Sequence, residues 1–260
     1  MPAATELAAY ASFAFPAAVS TWFPRPNGAL WSLGIEVWFS ALFPLVVVGI
    51  ERLGIVSIFG LAFFVSTAMR TAAALVLPLA YFNVNRTLDF FGDSVVGRLD
   101  NFILGMVVAH LVTVGPPVRA VERRRALVLG GVALWFFSGL LWEQWRVGRD
   151  EGDPLFTVIG NELSNWGFAF ILFGAVVSAP ADAVARVLGF APLRWVGVRC
   201  YSIYLFHVPL MDLVRPKTLE PWRVVLFLAL VCATAFVGYA LLEKPFIDYA
   251  HRRLKGGHPA

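Results

Sequence analysis

Long apolar runs separated by short polar breaks dominate this chain. Stretches such as VALWFFSGLLW (132–142) and LFLALVCATAFVGYALL (226–242) are apolar on every side of a helix, where a lipid-facing strand would alternate with polar residues every second position. Only a helix satisfies its own backbone polar groups within one segment, so such runs predict membrane-spanning helices. Eight spans are expected, near residues 6–23, 29–50, 54–80, 99–115, 126–145, 155–178, 195–214 and 222–242. The breaks carry turn chemistry: Pro24, Pro26, Asn27 and Gly28 after the first run, Pro116 and Pro117 after the fourth, Gly152 and Pro154 before the sixth. The expected fold class is all-α, a polytopic transmembrane helical bundle. With no internal repeat or low-complexity linker, residues 1–250 read as one membrane domain and 251–260 as a short basic tail. The start, MPAATELAAYASFAFP, has an acid where a secretory signal would be basic, and reads as the start of a span.

Composition strengthens this reading. The 260 residues are 59% hydrophobic and only 15% charged, with a mean hydropathy of +0.73, against roughly 25% charged residues in an ordinary soluble domain. Cys200 and Cys232 each fall inside an apolar run, and His110, His207, His251 and His258 show no metal-ligand spacing, so neither a disulfide framework nor a metal site is expected.

A net charge of +4 would suit a nucleic-acid partner, but the 21 basic residues lie mostly between apolar runs, as membrane topology requires. In alternate loops, Arg52, Arg119, Arg123, Arg124, Arg125, Arg186, Arg194, Lys244, Arg252, Arg253 and Lys255 fall on one side. Arg25, Arg86, Arg98, Arg146, Arg149, Arg215, Lys217 and Arg223 fall on the other. The richer side is expected to be cytoplasmic, which puts both termini there.

Ionisable groups inside spans cost about 2.5–3.5 kcal/mol on insertion scales, so each needs a partner or a chemical role. Glu36 lies within LWSLGIEVWFSALFPL with no basic residue in that run; it is either paired to an arginine of another helix or chemical. Asn161, Ser164 and Asn165 share a helix face beside Glu162, suited to interhelical hydrogen bonds or a polar cavity. In WVGVRCYSIYLFHVPLM, Cys200, Tyr204 and His207 follow i, i+4, i+7 spacing, with Ser202 between them. His207 is the histidine placed where a near-neutral base would be protected, although a structural hydrogen bond is the blander reading, and Pro209 is expected to loosen the helix just beyond it. Arg98, Asp100 and Asn101 open the fourth span, where the arginine fork suits a phosphate or carboxylate. Arg70 is expected to snorkel or mark a helix break, and His110 and Glu243 to sit at interfaces.

Four of these segments together resemble the acyltransferase-3 family of membrane O-acyltransferases. Its WSLxxE segment is similar to Trp31, Ser32, Leu33 and Glu36, followed by Phe39 and by Leu42, Phe43 and Pro44. Arg98, Phe102 and Gly105 resemble its Arg-x-x-x-Phe-x-x-Gly; Tyr201, Ser202, Tyr204, His207 and Pro209 its Tyr-Ser-x-Tyr-x-x-His-x-Pro; and Glu243, Lys244, Pro245 and Phe246 its closing acidic-basic-Pro-Phe. Val37, Trp38 and Ser40 depart from the pattern of many relatives. Family members also begin with a helix pair carrying a basic residue and, about eleven positions later, a histidine proposed as the base. No such segment precedes WSLxxE here, so the chain is expected to correspond to the last eight helices of a ten-helix bundle, with activity of the isolated chain left open.

The resemblance implies transfer of an acyl group, acetyl foremost, from acyl-CoA (acetyl-CoA) as donor substrate to a hydroxyl of a carbohydrate or lipid-linked acceptor in the bilayer, with no resident cofactor and no nucleic-acid partner. Glu36 and His207 are the catalytic candidates; Trp31, Ser32, Arg98, Ser202 and Tyr204 are the substrate-binding ones. The Arg123–Arg125 cluster suits anionic headgroups first and CoA phosphates second. The alternatives are a non-catalytic membrane fragment and a transporter-like bundle, the latter weakened by the lack of inverted repeats.

Overall fold

The computed structural model describes residues 4–15, 27–76, 92–115, 120–146, 154–179, 182–214 and 220–256. These form helices α1 (Ala4–Ala11), α2 (Leu30–Leu53), α3 (Ile55–Val76), α4 (Leu99–Thr113), α5 (Val121–Arg146), α6 (Pro154–Val176), α7 (Ala183–Leu188), α8 (Ala191–Val198), α9 (Cys200–Val214), α10 (Pro221–Gly238) and α11 (Lys244–Gly256). Among the described residues there is no strand. The helices within Leu30–Leu53, Ile55–Ala73, Val121–Leu141 and Pro221–Arg253 are long and apolar enough to cross a membrane, while Leu99–Thr113 and Cys200–Val214 are shorter apolar helices. The chain is an all-α integral membrane bundle.

Helices lie where seven of the eight runs place them, and the first run begins as α1. The remainder of that run, the end of the third, and the turn residues Pro24, Pro26, Pro116, Pro117 and Gly152 lie outside the described residues. One expectation needs correction. The seventh run is not continuous: it splits at Arg199, whose backbone N–H bonds Val196 instead of continuing the α-helical ladder. The resulting α9 has 15 residues, about 22 Å of helix against a ~30 Å hydrocarbon layer. Pro209 lies inside α9, which runs on to Val214.

Two compact units are present, residues 1–22 with 31–188, and residues 23–30 with 189–260. In the first, α5 and α6 cross at backbone contact because glycines face each other. A Cβ on Gly131 would lie 2.6 Å from the Gly167 carbonyl oxygen, and one on Gly167 would lie 2.8 Å from that of Gly131. Small residues that let backbones approach are the usual means of packing helices where lipid removes the hydrophobic drive. A second contact joins α2 to α4: Phe39 and Phe102 stack with centroids 4.0 Å apart and planes 10° from parallel, over buried Ala62 and Ile103. Trp38 of α2 donates to the Phe13 carbonyl of the same unit at 2.8 Å, where Phe13 adopts a positive φ of 54°.

In the second unit, α9 packs on α10, and Gly238 allows the approach: a Cβ there would sit 2.8 Å from Ser202 Oγ and from Phe206. The chain then widens into a π-helical turn, Tyr239–Glu243, before α11. Pro245 has no N–H to donate to the Leu241 carbonyl, which favours the wider register one turn earlier.

Candidate functional site

The first unit contains a buried ionic cluster that crosses three helices. Arg70 of α3 is 3% exposed. Its guanidinium donates to both oxygens of Asp100 at the start of α4 (2.6 and 3.3 Å), to the Gly97 carbonyl at 2.7 Å, and to Glu162 of α6. Arg70 therefore neither snorkels nor marks a break, because α3 continues through it to Val76. Ser66, one turn earlier, donates to the Val96 carbonyl (2.7 Å) and accepts from the Asp100 N–H (3.2 Å), while Thr67 donates to Glu162 at 3.0 Å. The fork geometry of arginine lets one cation serve two carboxylates and a carbonyl together.

Arg98 lies two residues before Asp100 and is part of the same arrangement. Its Nε donates to Asp93 at 2.8 Å, a second guanidinium nitrogen pairs with the same carboxylate, and Nη1 donates to Asn161 at 3.3 Å. The side-chain amides of Asn101 and Asn165 meet in turn. The polar face expected for Asn161 and Asn165 thus makes interhelical hydrogen bonds to α4 and its entrance. Beside it a cleft of about 320 Å³ opens between α5 and α6.

Trp31 and Ser32 stand half-buried in the first turn of α2. Glu36, one turn on, is exposed and makes no ion pair with any described residue, so of its two readings the arginine-paired buried carboxylate finds no partner among the described residues. His110 is exposed on α4. Of the three arginines opening α5, Arg124 ion-pairs with Asp182 at 2.9 Å, leaving Arg123 and Arg125 exposed.

The second unit gathers Ser202, Tyr204 and His207 on α9. Ser202 is 2% exposed and donates to Glu243 in the π-helical turn, so Glu243 is a partner of α9, where an interface position was expected. His207 Nδ1 meets the Tyr204 carbonyl at 2.5 Å, and its ring lies 5.4 Å from that of Tyr204. A carbonyl oxygen only accepts, so in this hydrogen bond Nδ1 is the donor. Pro209 leaves the Leu205 carbonyl without its in-helix donor, and Asn27 Nδ2 donates to it at 2.7 Å while Asn27 Oδ1 accepts from the Ala29 N–H. Arg199, at the break before α9, lies over the rings of Trp195, Tyr239 and Phe236 at 4.6, 5.0 and 5.7 Å.

The candidates therefore divide between the units: Trp31, Ser32, Glu36 and Arg98 in one, Ser202, Tyr204 and His207 in the other. Sequence reasoning singled out Arg70 and Glu162 but not their partnership, since residues 92 positions apart give no periodic signal. It read Asn27 only as turn chemistry; Pro209 was the signal that a side-chain donor had to be supplied.

A family model described as an acyltransferase domain, the third of that name, matches residues 4–243. The chain is 25% identical over 237 residues to the O-acetyltransferase OatA of Staphylococcus aureus, covering 85% of this chain and 36% of that protein. It is 29% identical over 229 residues to the putative peptidoglycan O-acetyltransferase YrhL of Bacillus subtilis, covering 85% and 35%. To the peptidoglycan O-acetyltransferase OatA of Listeria monocytogenes it is 34% identical over 88 residues, covering 30% and 14%. The chain spans about a third or less of the length of these curated relatives. No solved structure matches.

Proposed function

The chain belongs to the acyltransferase-3 family, and from that premise we propose that it is the membrane part of an O-acetyltransferase. The match over residues 4–243 carries this reading. The acetyl donor is a thioester such as acetyl-CoA reached from the cytoplasm, and the acceptor is a hydroxyl of a cell-wall carbohydrate, the substrate class named for two of the relatives. Residues 1–250 serve as a membrane domain, with both termini cytoplasmic in a bacterial inner membrane.

Transfer needs a base for the acceptor proton and donors for the oxyanion that forms on the acetyl carbon. When the hydroxyl oxygen attacks, its C–O bond forms as the thioester C–S bond breaks, and the proton finally resides on the departing thiol. His207 supplies the basic Nε2, since Nδ1 is committed to the Tyr204 carbonyl. Glu36, exposed on α2, orients the acceptor hydroxyl. Trp31, Ser32 and Tyr204 border the substrates, and Ser202 holds α9 against Glu243.

The test is transfer of labelled acetyl from acetyl-CoA to solubilised cell-wall glycan by membranes containing the full chain. His207→Ala and Glu36→Gln are each expected to lower transfer at least tenfold with unchanged membrane insertion. Transfer no greater than that of membranes lacking the chain would refute the proposed activity; full transfer by both variants would refute the site assignment.

A further inference from the structure

The cleft between α5 and α6 is lined by Trp135, Phe136, Ser138, Gly160, Asn161 and Ser164, among others. Its polar groups have a specific origin. A serine inside a helix commonly returns its hydroxyl to the carbonyl four residues back, which for Ser164 is that of Gly160. That carbonyl already accepts from Ser138 Oγ across the helix pair, at 2.7 Å. The Ser164 hydroxyl has no hydrogen-bond partner among the described residues, and neither does the indole N–H of Trp135. Two hydrogen-bonding groups and an aromatic face, half-exposed at Trp135, therefore line one cleft. An acyl chain would satisfy neither group.

Charge narrows the occupant further. Asn161 joins the cleft to Arg98, but the neighbouring cluster holds two guanidinium groups, Arg70 and Arg98, against the carboxylates of Asp93, Asp100 and Glu162. With all five ionised the cluster is net negative, and protonating one acid brings it to neutrality. In neither state is there a surplus cation for a phosphate, and an anion approaching Arg98 would have to displace Asp93. An uncharged ligand with hydroxyls and an apolar ring face fits all three observations: the spare polar groups, the aromatic wall and the absent positive charge. We infer that the α5–α6 cleft is the subsite for a neutral sugar ring of the acceptor, and that the phosphates of the acyl donor bind elsewhere. Hydroxyls of the ring bond Ser164 and the Trp135 N–H, and its C–H face lies on the indole. The assignment of this ring to an acceptor rests on the acetyl-transfer reading; the binding of the ring does not.

The experiment measures binding of a radiolabelled N-acetylglucosamine tetramer, and separately of acetyl-CoA, to the full chain in lipid nanodiscs. The variants are Ser164→Ala and Trp135→Phe, which remove one hydrogen-bonding group each, the second also shortening the aromatic wall. Both are expected to weaken tetramer binding at least fivefold, to leave acetyl-CoA binding within twofold, and, in the transfer assay, to raise the acceptor KM with kcat little changed. Tetramer binding with no transfer would refute the acetyl-transfer reading and leave the subsite standing. Wild-type tetramer binding by both variants, weakened acetyl-CoA binding in place of tetramer binding, or no tetramer binding by the parent chain would overturn the subsite.

Discussion

Asn27 donates through Nδ2 to the carbonyl of Leu205, 2.7 Å away, the acceptor that Pro209 leaves without an in-helix N–H. In an apolar surrounding an unpaired carbonyl is costly, and this one bond explains why α9 passes through a proline without ending. Asn27→Ala is expected to destabilise the folded chain by about 1–3 kcal/mol, the cost of a buried polar group left unpaired. In a Pro209→Ala background the restored N–H bonds Leu205 directly, so the same substitution should cost much less. A double-mutant cycle on detergent-solubilised unfolding checks this, and additive losses would contradict it.

Ser202 and Glu243 couple the histidine helix to the turn ahead of Pro245. Glu243→Gln keeps an oxygen acceptor and should retain near-parental unfolding, whereas Glu243→Leu leaves the Ser202 hydroxyl, buried at 2% exposure, without a partner and should cost about 1–3 kcal/mol. Gly238→Val should be worse still, because its Cβ would meet Ser202 Oγ and Phe206 at 2.8 Å. Thermal unfolding of the three variants side by side gives the ranking.

How far the sequence revealed this arrangement depends on the range of the interaction. Apolar runs placed the helices, because hydropathy reports directly on lipid contact, and the motif residues of α4 and α9 lie on the helices they suggested. What it could not show was pairing across helices. Glu36 looked as though it needed a cation and pairs with none among the described residues, while Arg70 looked anomalous and is held by Asp100 and Glu162. A carboxylate's local sequence is the same whether its partner lies across the bundle or is absent. The break at Arg199 was equally hidden, and its guanidinium lies over the rings of Trp195, Phe236 and Tyr239, two of which come from another part of the chain.

The α5–α6 crossing makes a packing prediction. Gly167→Leu places a branched side chain where a Cβ alone would be 2.8 Å from the Gly131 carbonyl oxygen and 3.0 Å from the Trp135 N. Neither backbone can yield without separating the helices, so the variant should lose at least 1–3 kcal/mol. Gly139→Leu, at a position where a Cβ would meet nothing within 4 Å, should be tolerated. Protein recovered in the membrane and its unfolding temperature measure the contrast.

Arg70 provides the most demanding test of the buried cluster. Its side chain and that of Asp100 are 2% and 3% exposed, and Glu162 is 17% exposed, so removing the cation strands two carboxylates where water cannot solvate them. Arg70→Leu should therefore cost about 3–5 kcal/mol, the usual penalty for breaking a buried ion pair from one side. Arg70→Lys should recover only part of this, because a single ammonium cannot reproduce the fork that meets Asp100, Glu162 and the Gly97 carbonyl together. If the loss reflects stranded charge, then adding Asp100→Asn and Glu162→Gln to Arg70→Leu should restore much of the stability even though every ionic contact is gone. Replacing a whole buried ion cluster by neutral groups is often close to neutral, whereas removing one member is not. Unfolding of the single and triple variants in one detergent decides it: a triple variant less stable than Arg70→Leu alone would show that the cluster acts through its individual hydrogen bonds and not through charge balance.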